Sequence, residues 1–214
     1  MRKIELIEMV LDNLSGGDAV ADVRGRYHPQ MISKFLEAAY NDLIYQVVEA
    51  AIDRKNNKVD FTVVDAFAKI HRNIAVSDDA DRSLKYSILP FAPLKLPEDR
   101  GIRMICPEDD PTNPFAPVDN NSQAVFAALD VGVVDDVPTY FLEKMVGNEY
   151  RVYYPDDVVT TKVTMLLILP LSEYDDYDDI PMPAGKDLSI VDTVVERLRE
   201  KPQEDVVNDN IASQ

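Results

Sequence analysis

The order of helical and β-type segments constrains this chain more than any other feature. The sequence begins with helical periodicity, changes to a β-type pattern near Asp60, and returns to one helix over Asp187–Lys201. The terminal helices can pack on each other only if the β region is inserted between them. We therefore expect an α+β fold, a helical bundle from the N- and C-terminal helices with an inserted, interrupted antiparallel β region.

The same pattern divides the 214 residues into four consecutive parts. An N-terminal helical part, residues 1–57, precedes the inserted β region, residues 58–170. Residues 171–202 hold an acidic loop and the C-terminal helix that returns to the helical part. Residues 203–214 form a polar tail.

Apolar residues at three- and four-residue spacing predict the helices. Ile4, Ile7, Leu11 and Leu14 predict a short helix that ends at Gly16-Gly17. A longer helix is predicted from Pro29 to Asp53 and would be the spine of the fold. Its apolar stripe consists of Ile32, Phe35, Leu36, Ala39, Leu43, Val47 and Ala51, widened by Ile44 and Val48.

Alternation and turn residues predict the strands. Val59, Phe61 and Val63 alternate with polar residues, which is typical of a half-buried strand. A hairpin is predicted from Thr139–Val146 and Glu149–Tyr154, with Gly147-Asn148 as its two-residue loop. Val158–Leu169 is predicted to pair next in a meander. Shorter predicted strands are Ile74 with Val76, Leu84–Ile88 and Ile102–Cys106.

The net charge of −17 restricts the partners that this chain can bind tightly. Nucleic-acid phosphates and anionic membranes both require a basic face, so we expect neither DNA binding nor membrane contact. The longest apolar run, Val163–Leu169, is too short to span a bilayer. Cys106 is the only cysteine, which excludes an intramolecular disulfide. We expect a soluble protein without a signal peptide that is cytoplasmic at synthesis.

No catalytic, cofactor-binding or metal-binding motif is recognised, so an enzyme is not expected. His28 and His71 are the only histidines, and with one cysteine they give no catalytic triad or zinc spacing. The acidic loop Glu173–Asp179 could attract a hard cation but lacks the spaced oxygen pattern of an EF-hand loop. Two alternatives from other classes remain open, a calcium-dependent carbohydrate-binding module and an acidic glycosidase.

Tyrosines provide the predicted partner-binding residues. On the predicted hairpin, tyrosine is typical of a half-buried sheet; on the acidic loop, Tyr174 and Tyr177 favour an interface. We expect the segment Glu173–Pro183 and the tail to be mobile in the isolated subunit and ordered against a partner. The predicted partner-binding residues are Tyr174, Tyr177, Ile180, Val206, Val207 and Ile211.

Several short stretches together resemble virion proteins of tailed bacteriophages, particularly phages of Bacteroidetes hosts, including the crAss-like phages. The resembling motifs, in order, are Ser83–Pro90 (Ser-Leu-Lys-Tyr-Ser-Ile-Leu-Pro), Leu96-Pro97, Arg100–Arg103, Asn113–Phe115, Ile180–Pro183 and Val207–Asn210. With the helix between the last two motifs, the resemblance covers most of the chain from Pro29 onward.

The resemblance implies a structural role like that of the adaptor or stopper rings that lie below the portal and join head to tail. It implies a homo-oligomeric ring, of twelve copies by analogy with portal symmetry, next to the portal and other neck or tail proteins. DNA would pass through this ring without specific binding. The protein would reside in the neck or tail region of the virion, and in the host cytoplasm during assembly. Another tail or head-completion protein of the same virion is the alternative within this class.

Overall fold

The computed structural model describes residues 1–16, 27–53, 58–59, 62–96, 101–118, 133–134, 137–147, 149–155 and 158–200. Within these ranges the helices are α1 (Lys3–Ser15), α2 (Pro29–Ala51), α3 (Thr62–Asp65) and α4 (Lys186–Glu200). The strands are β1 (Ile52–Asp53), β2 (Lys58–Val59), β3 (Ala68–Ala75), β4 (Ser77–Asp79), β5 (Leu84–Ile88), β6 (Ile102–Pro107), β7 (Ala116–Pro117), β8 (Val133–Val134), β9 (Val137–Lys144), β10 (Tyr150–Tyr154) and β11 (Lys162–Ile168).

The longer strands form two sheets. The first sheet has the order β3-β11-β6, and both of its pairs are antiparallel. The second sheet has the order β4-β5-β10-β9-β7, with β8 paired to β9. Strands β1 and β2 form a separate two-residue ribbon at the end of α2. Sequence-distant strands are therefore neighbours in both sheets, and β11 lies at the centre of the first.

Helices α1, α2 and α4 pack against one another and bury one face each. Helix α1 buries Leu6, Val10 and Leu11, and it ends at Gly16, whose φ of 54° is the left-handed conformation that glycine adopts without strain. The buried side of α2 is rotated from the predicted stripe, since Phe35 lies only half-buried. The buried residues of α2 are Ile32, Leu36, Ala39, Tyr40, Ile44 and Val48.

One hydrophobic core joins these helices to the first sheet. Val163, Met165 and Leu167 of β11 are fully buried and belong to the same cluster as Leu36 and Ile44 of α2. The prediction of a helical bundle with an inserted β region is therefore wrong: the fold is mixed α/β, and a sheet lies at the centre of its core. The physical reason is the apolar inner face of β11, which buries its area only when the helices cover it.

The prediction that β11 continues a meander is also wrong, because β11 pairs with β3 and β6 and not with β10. A strand as apolar as Val163–Leu169 is suited to the middle of a covered sheet. The predicted strand through Val59 and Val63 is wrong in its second half. Lys58–Val59 is extended, Asp60 and Phe61 lie outside the described residues, and Val63 belongs to the helical turn α3, in which Val64 is the buried residue.

Several other strand and helix predictions are confirmed, although Val76, predicted to extend a strand with Ile74, lies between β3 and β4. Strand β5 has the predicted bounds, and the predicted hairpin forms from β9 and β10. The N–H of Met145 donates to the carbonyl of Glu149 (2.9 Å), so the loop begins at Val146, one residue earlier than predicted. Helix α2 ends at Ala51 and not at Asp53, because Ile52–Asp53 pairs with β2. In the described part of the chain, no helix has the length and apolar character to cross a membrane.

Candidate interaction surface

The second sheet has an inner face in the main core and an outer face with different chemistry. Side chains of β10 alternate between the two faces. Val152 and Tyr154 point inward and belong to the main core cluster, whereas Tyr153 lies outside that cluster. The strand register places two rows of three on the outer face. These rows are Tyr86–Tyr153–Phe141 and Ile88–Arg151–Glu143, each taken from β5, β10 and β9 in turn.

The first row is a stack of aromatic rings. The rings of Phe141 and Tyr153 are nearly parallel, 12° apart in orientation, with centroids separated by 5.1 Å. The ring of Tyr86 lies 6.0 Å from that of Tyr153. Tyr153 is fully buried although it lies outside the main core. Its cover must therefore come from neighbouring side chains on the outer face.

Two arginines provide part of that cover. The guanidinium of Arg82 lies 5.0 Å from the Tyr153 ring centroid, and that of Arg151 lies 4.6 Å from the Tyr86 ring centroid. Both distances are within the range of a cation–π contact. Arg82 also pairs with Glu143, and Arg151 pairs with Glu149 through its Nε (2.6 Å). One guanidinium group thus lies near the Tyr153 ring and the other near the Tyr86 ring, and each forms an ion pair with a carboxylate.

These two carboxylates also favour the charged form of the arginines that they bind. Hydrogen bonding to Glu143 raises the pKa of the Arg82 guanidinium, and hydrogen bonding to Glu149 raises the pKa of the Arg151 guanidinium. Both arginines therefore stay positively charged across the physiological pH range.

A recess of about 360 Å³ opens beside the stack. Asp79 accepts a hydrogen bond from the Tyr153 hydroxyl (3.4 Å) at its wall. The recess is lined by carboxylates, guanidinium groups, phenol rings and a thioether. This mixture suits a partner surface that has both polar and apolar groups. Its lining residues are Asp78, Asp79, Ala80, Asp81, Arg82, Tyr86, Met145, Arg151 and Tyr153.

The structure places the predicted partner-binding residues in three different environments. Tyr174 is 2% exposed and Ile180 is 3% exposed, so both lie in the chain's own core and their interpretation as docking residues is corrected. Tyr177 is 72% exposed at the tip of the acidic loop, where it remains a candidate for partner contact. The three tail residues, Val206, Val207 and Ile211, lie outside the described residues.

The N-terminal residues hold the acidic loop in place. The N–H of Ile4 donates to the carbonyl of Asp176 (3.1 Å), and the N–H of Ile180 donates to the carbonyl of Met1 (2.9 Å). Lys3 donates through Nζ to the carbonyl of Tyr174 (3.4 Å). The segment that was expected to be mobile therefore has hydrogen bonds within its own chain, which the sequence pattern did not reveal because residues 1–4 are distant in sequence.

Tyr174 packs next to charged and aromatic neighbours within the core. The ammonium group of Lys69 lies 5.0 Å from the Tyr174 ring centroid and forms an ion pair with Asp178 (3.3 Å). Tyr40 of α2 donates its hydroxyl to the carbonyl of Pro181 (3.2 Å). Burial raises the pKa of both the Tyr40 and the Tyr174 hydroxyl above the ordinary value. The acidic loop is thereby fixed on both sides, by α1 and by β3.

The two histidines lie apart from the interaction surface. His28 precedes α2, and its Nδ1 accepts the N–H of Gln30 (3.3 Å), which confirms its interpretation as a helix-start residue. His71 lies in β3 with its ring 5.3 Å from that of Phe91. Across the described ranges, no group of three or more His, Cys, Asp and Glu side chains is placed to hold a metal ion.

The interpretation of the hairpin tyrosines as sheet residues is confirmed, since Tyr140, Tyr153 and Tyr154 are buried. Sequence reasoning missed the arginines Arg82 and Arg151, which complete the outer face. The predicted two-residue loop would have placed Phe141 opposite Tyr154, whereas the observed register places it opposite Tyr153. The pairing of β10 with β5, which adds Tyr86, joins segments more than 60 residues apart and leaves no local signal.

Comparison with protein-family models gives no match for this sequence, and comparison with curated proteins gives none either.

Proposed function

We propose that this chain is a structural virion protein, a subunit of the head-to-tail connector ring through which DNA passes. The sequence resemblance to virion proteins of tailed phages supports this class. The observation that carries an assembly role is the outer face of the second sheet, where the accessible side chains of Arg82, Arg151 and Tyr86 border a recess beside a buried aromatic stack.

This surface has the composition of a protein interface. Tyrosine, arginine and methionine are enriched where proteins bind each other, and tyrosine and arginine supply much of the binding energy. The arginines are already held by Glu143 and Glu149, so a partner that binds here does not have to order flexible side chains. A neighbouring copy, the portal or another neck protein is the partner that this proposal implies.

The charge of the chain agrees with a passage that DNA moves through. Phosphates are repelled by a net charge of −17, which lowers adhesion of DNA to the wall of a ring. The proposed location is the neck or tail region of the virion, after assembly in the host cytoplasm, with twelve copies as the expected number. Another tail or head-completion position in the same virion is the alternative within this class.

Labelling of phage particles tests this proposal directly. Antibodies raised against the purified protein and conjugated to gold should mark the junction between head and tail in electron micrographs. Native mass measurement of the protein extracted from particles should give a closed ring. Gold confined to the capsid or the distal tail would favour the alternative, a tail or head-completion protein. Absence of the protein from purified particles would overturn the virion role.

A further inference from the structure

We draw no further inference here: the strongest candidate, the apolar row of Ile70, Leu166 and Met104 across the first sheet, has acidic as well as basic side chains beside it, and nothing in the structure shows what covers it.

Discussion

Two adjacent residues of α2, Leu43 and Ile44, experience different surroundings. Ile44 is fully buried in the core shared with the first sheet, whereas Leu43 is half-buried at its margin. The free energy of unfolding should therefore respond to Ile44 more than to Leu43, although the sequence periodicity favoured Leu43 as a core position. Periodicity identifies the apolar side of a helix, but the neighbouring elements decide which residues at its centre lose all contact with water.

Replacing Ile44 with Ala should lower the free energy of unfolding by about 2–5 kcal/mol, because the substitution removes buried methyl groups and leaves a cavity. Leu43→Ala is the matched control and should cost about half as much, since part of its side chain already contacts water. Urea unfolding of the two variants beside the unmodified protein measures both. Equal losses would show that α2 is rotated from the position described above.

His71 gives the stability of the protein a pH dependence below neutrality. Burial, followed by the positive charge of Lys69, lowers the pKa of His71 from its ordinary value. The unfolded chain therefore binds a proton at a higher pH than the folded chain does. The contribution of His71 to stability is complete above the unfolded pKa of about 6.5 and is lost as the pH falls below it.

The urea midpoint of the unmodified protein should thus fall more steeply between pH 7 and pH 5 than that of His71→Gln. His28→Gln provides the control, because His28 lies exposed at the start of α2. The carboxylates titrate alike in all three proteins, so the difference between variants isolates the imidazole. Identical slopes in the unmodified protein and in His71→Gln would contradict this account.

At the scale of the elements, the acidic loop is attached to the N-terminal segment. Backbone hydrogen bonds join Ile4 to Asp176 and Ile180 to Met1. The backbones of Arg2 and Asp179 form an isolated antiparallel β-bridge. These contacts hold the N-terminal segment against the acidic loop. They give residues 174–180 a fixed position before any partner binds.

Hydrogen exchange of the isolated subunit should therefore show slow exchange for the amides of Ile4 and Ile180, since both donate within the fold. Val159, which is 89% exposed, should exchange rapidly and serves as an internal reference. Mass spectrometry of peptic fragments after deuterium labelling separates these regions. If the loop amides exchange as fast as the Val159 amide, the loop is mobile in the isolated subunit, as the sequence predicted.

The sequence predicted elements better than it predicted how they are arranged. Strand β5 and the β9–β10 hairpin follow from alternation and from Gly147, whose φ of 90° allows the tight loop. The central position of β11 did not follow, because its partners β3 and β6 are distant in sequence and an apolar run fits several positions in a sheet. For the same reason Arg82 and Arg151 were not predicted beside the tyrosines, and the role of Tyr177 in partner contact stays a prediction.

At the scale of the whole molecule, charge is distributed unevenly. The helices and the acidic loop carry most of the excess carboxylates, while the strands of the first sheet carry only basic charges. Two of these basic side chains, Lys69 and Arg103, already pair with carboxylates, and the rest of the molecule repels a polyanion.

No shift of duplex DNA is therefore expected in a gel at low salt with micromolar protein. The variant Arg72→Glu should behave identically, since the first sheet is not expected to contact phosphates. A shift that disappears with added salt, and that Arg72→Glu reduces, would instead show that the first sheet binds DNA.

The position of β11 also dictates when the protein can fold as it leaves the ribosome. Strands β3 and β6 do not pair with each other, and each pairs with β11, the last strand among the described residues. Between Pro107 and Lys162 lie about 55 residues, which a ribosome adds in roughly 3–11 seconds at 5–20 residues per second. Throughout this interval the nascent chain carries two strands with unpaired edges, and such edges favour aggregation and chaperone binding.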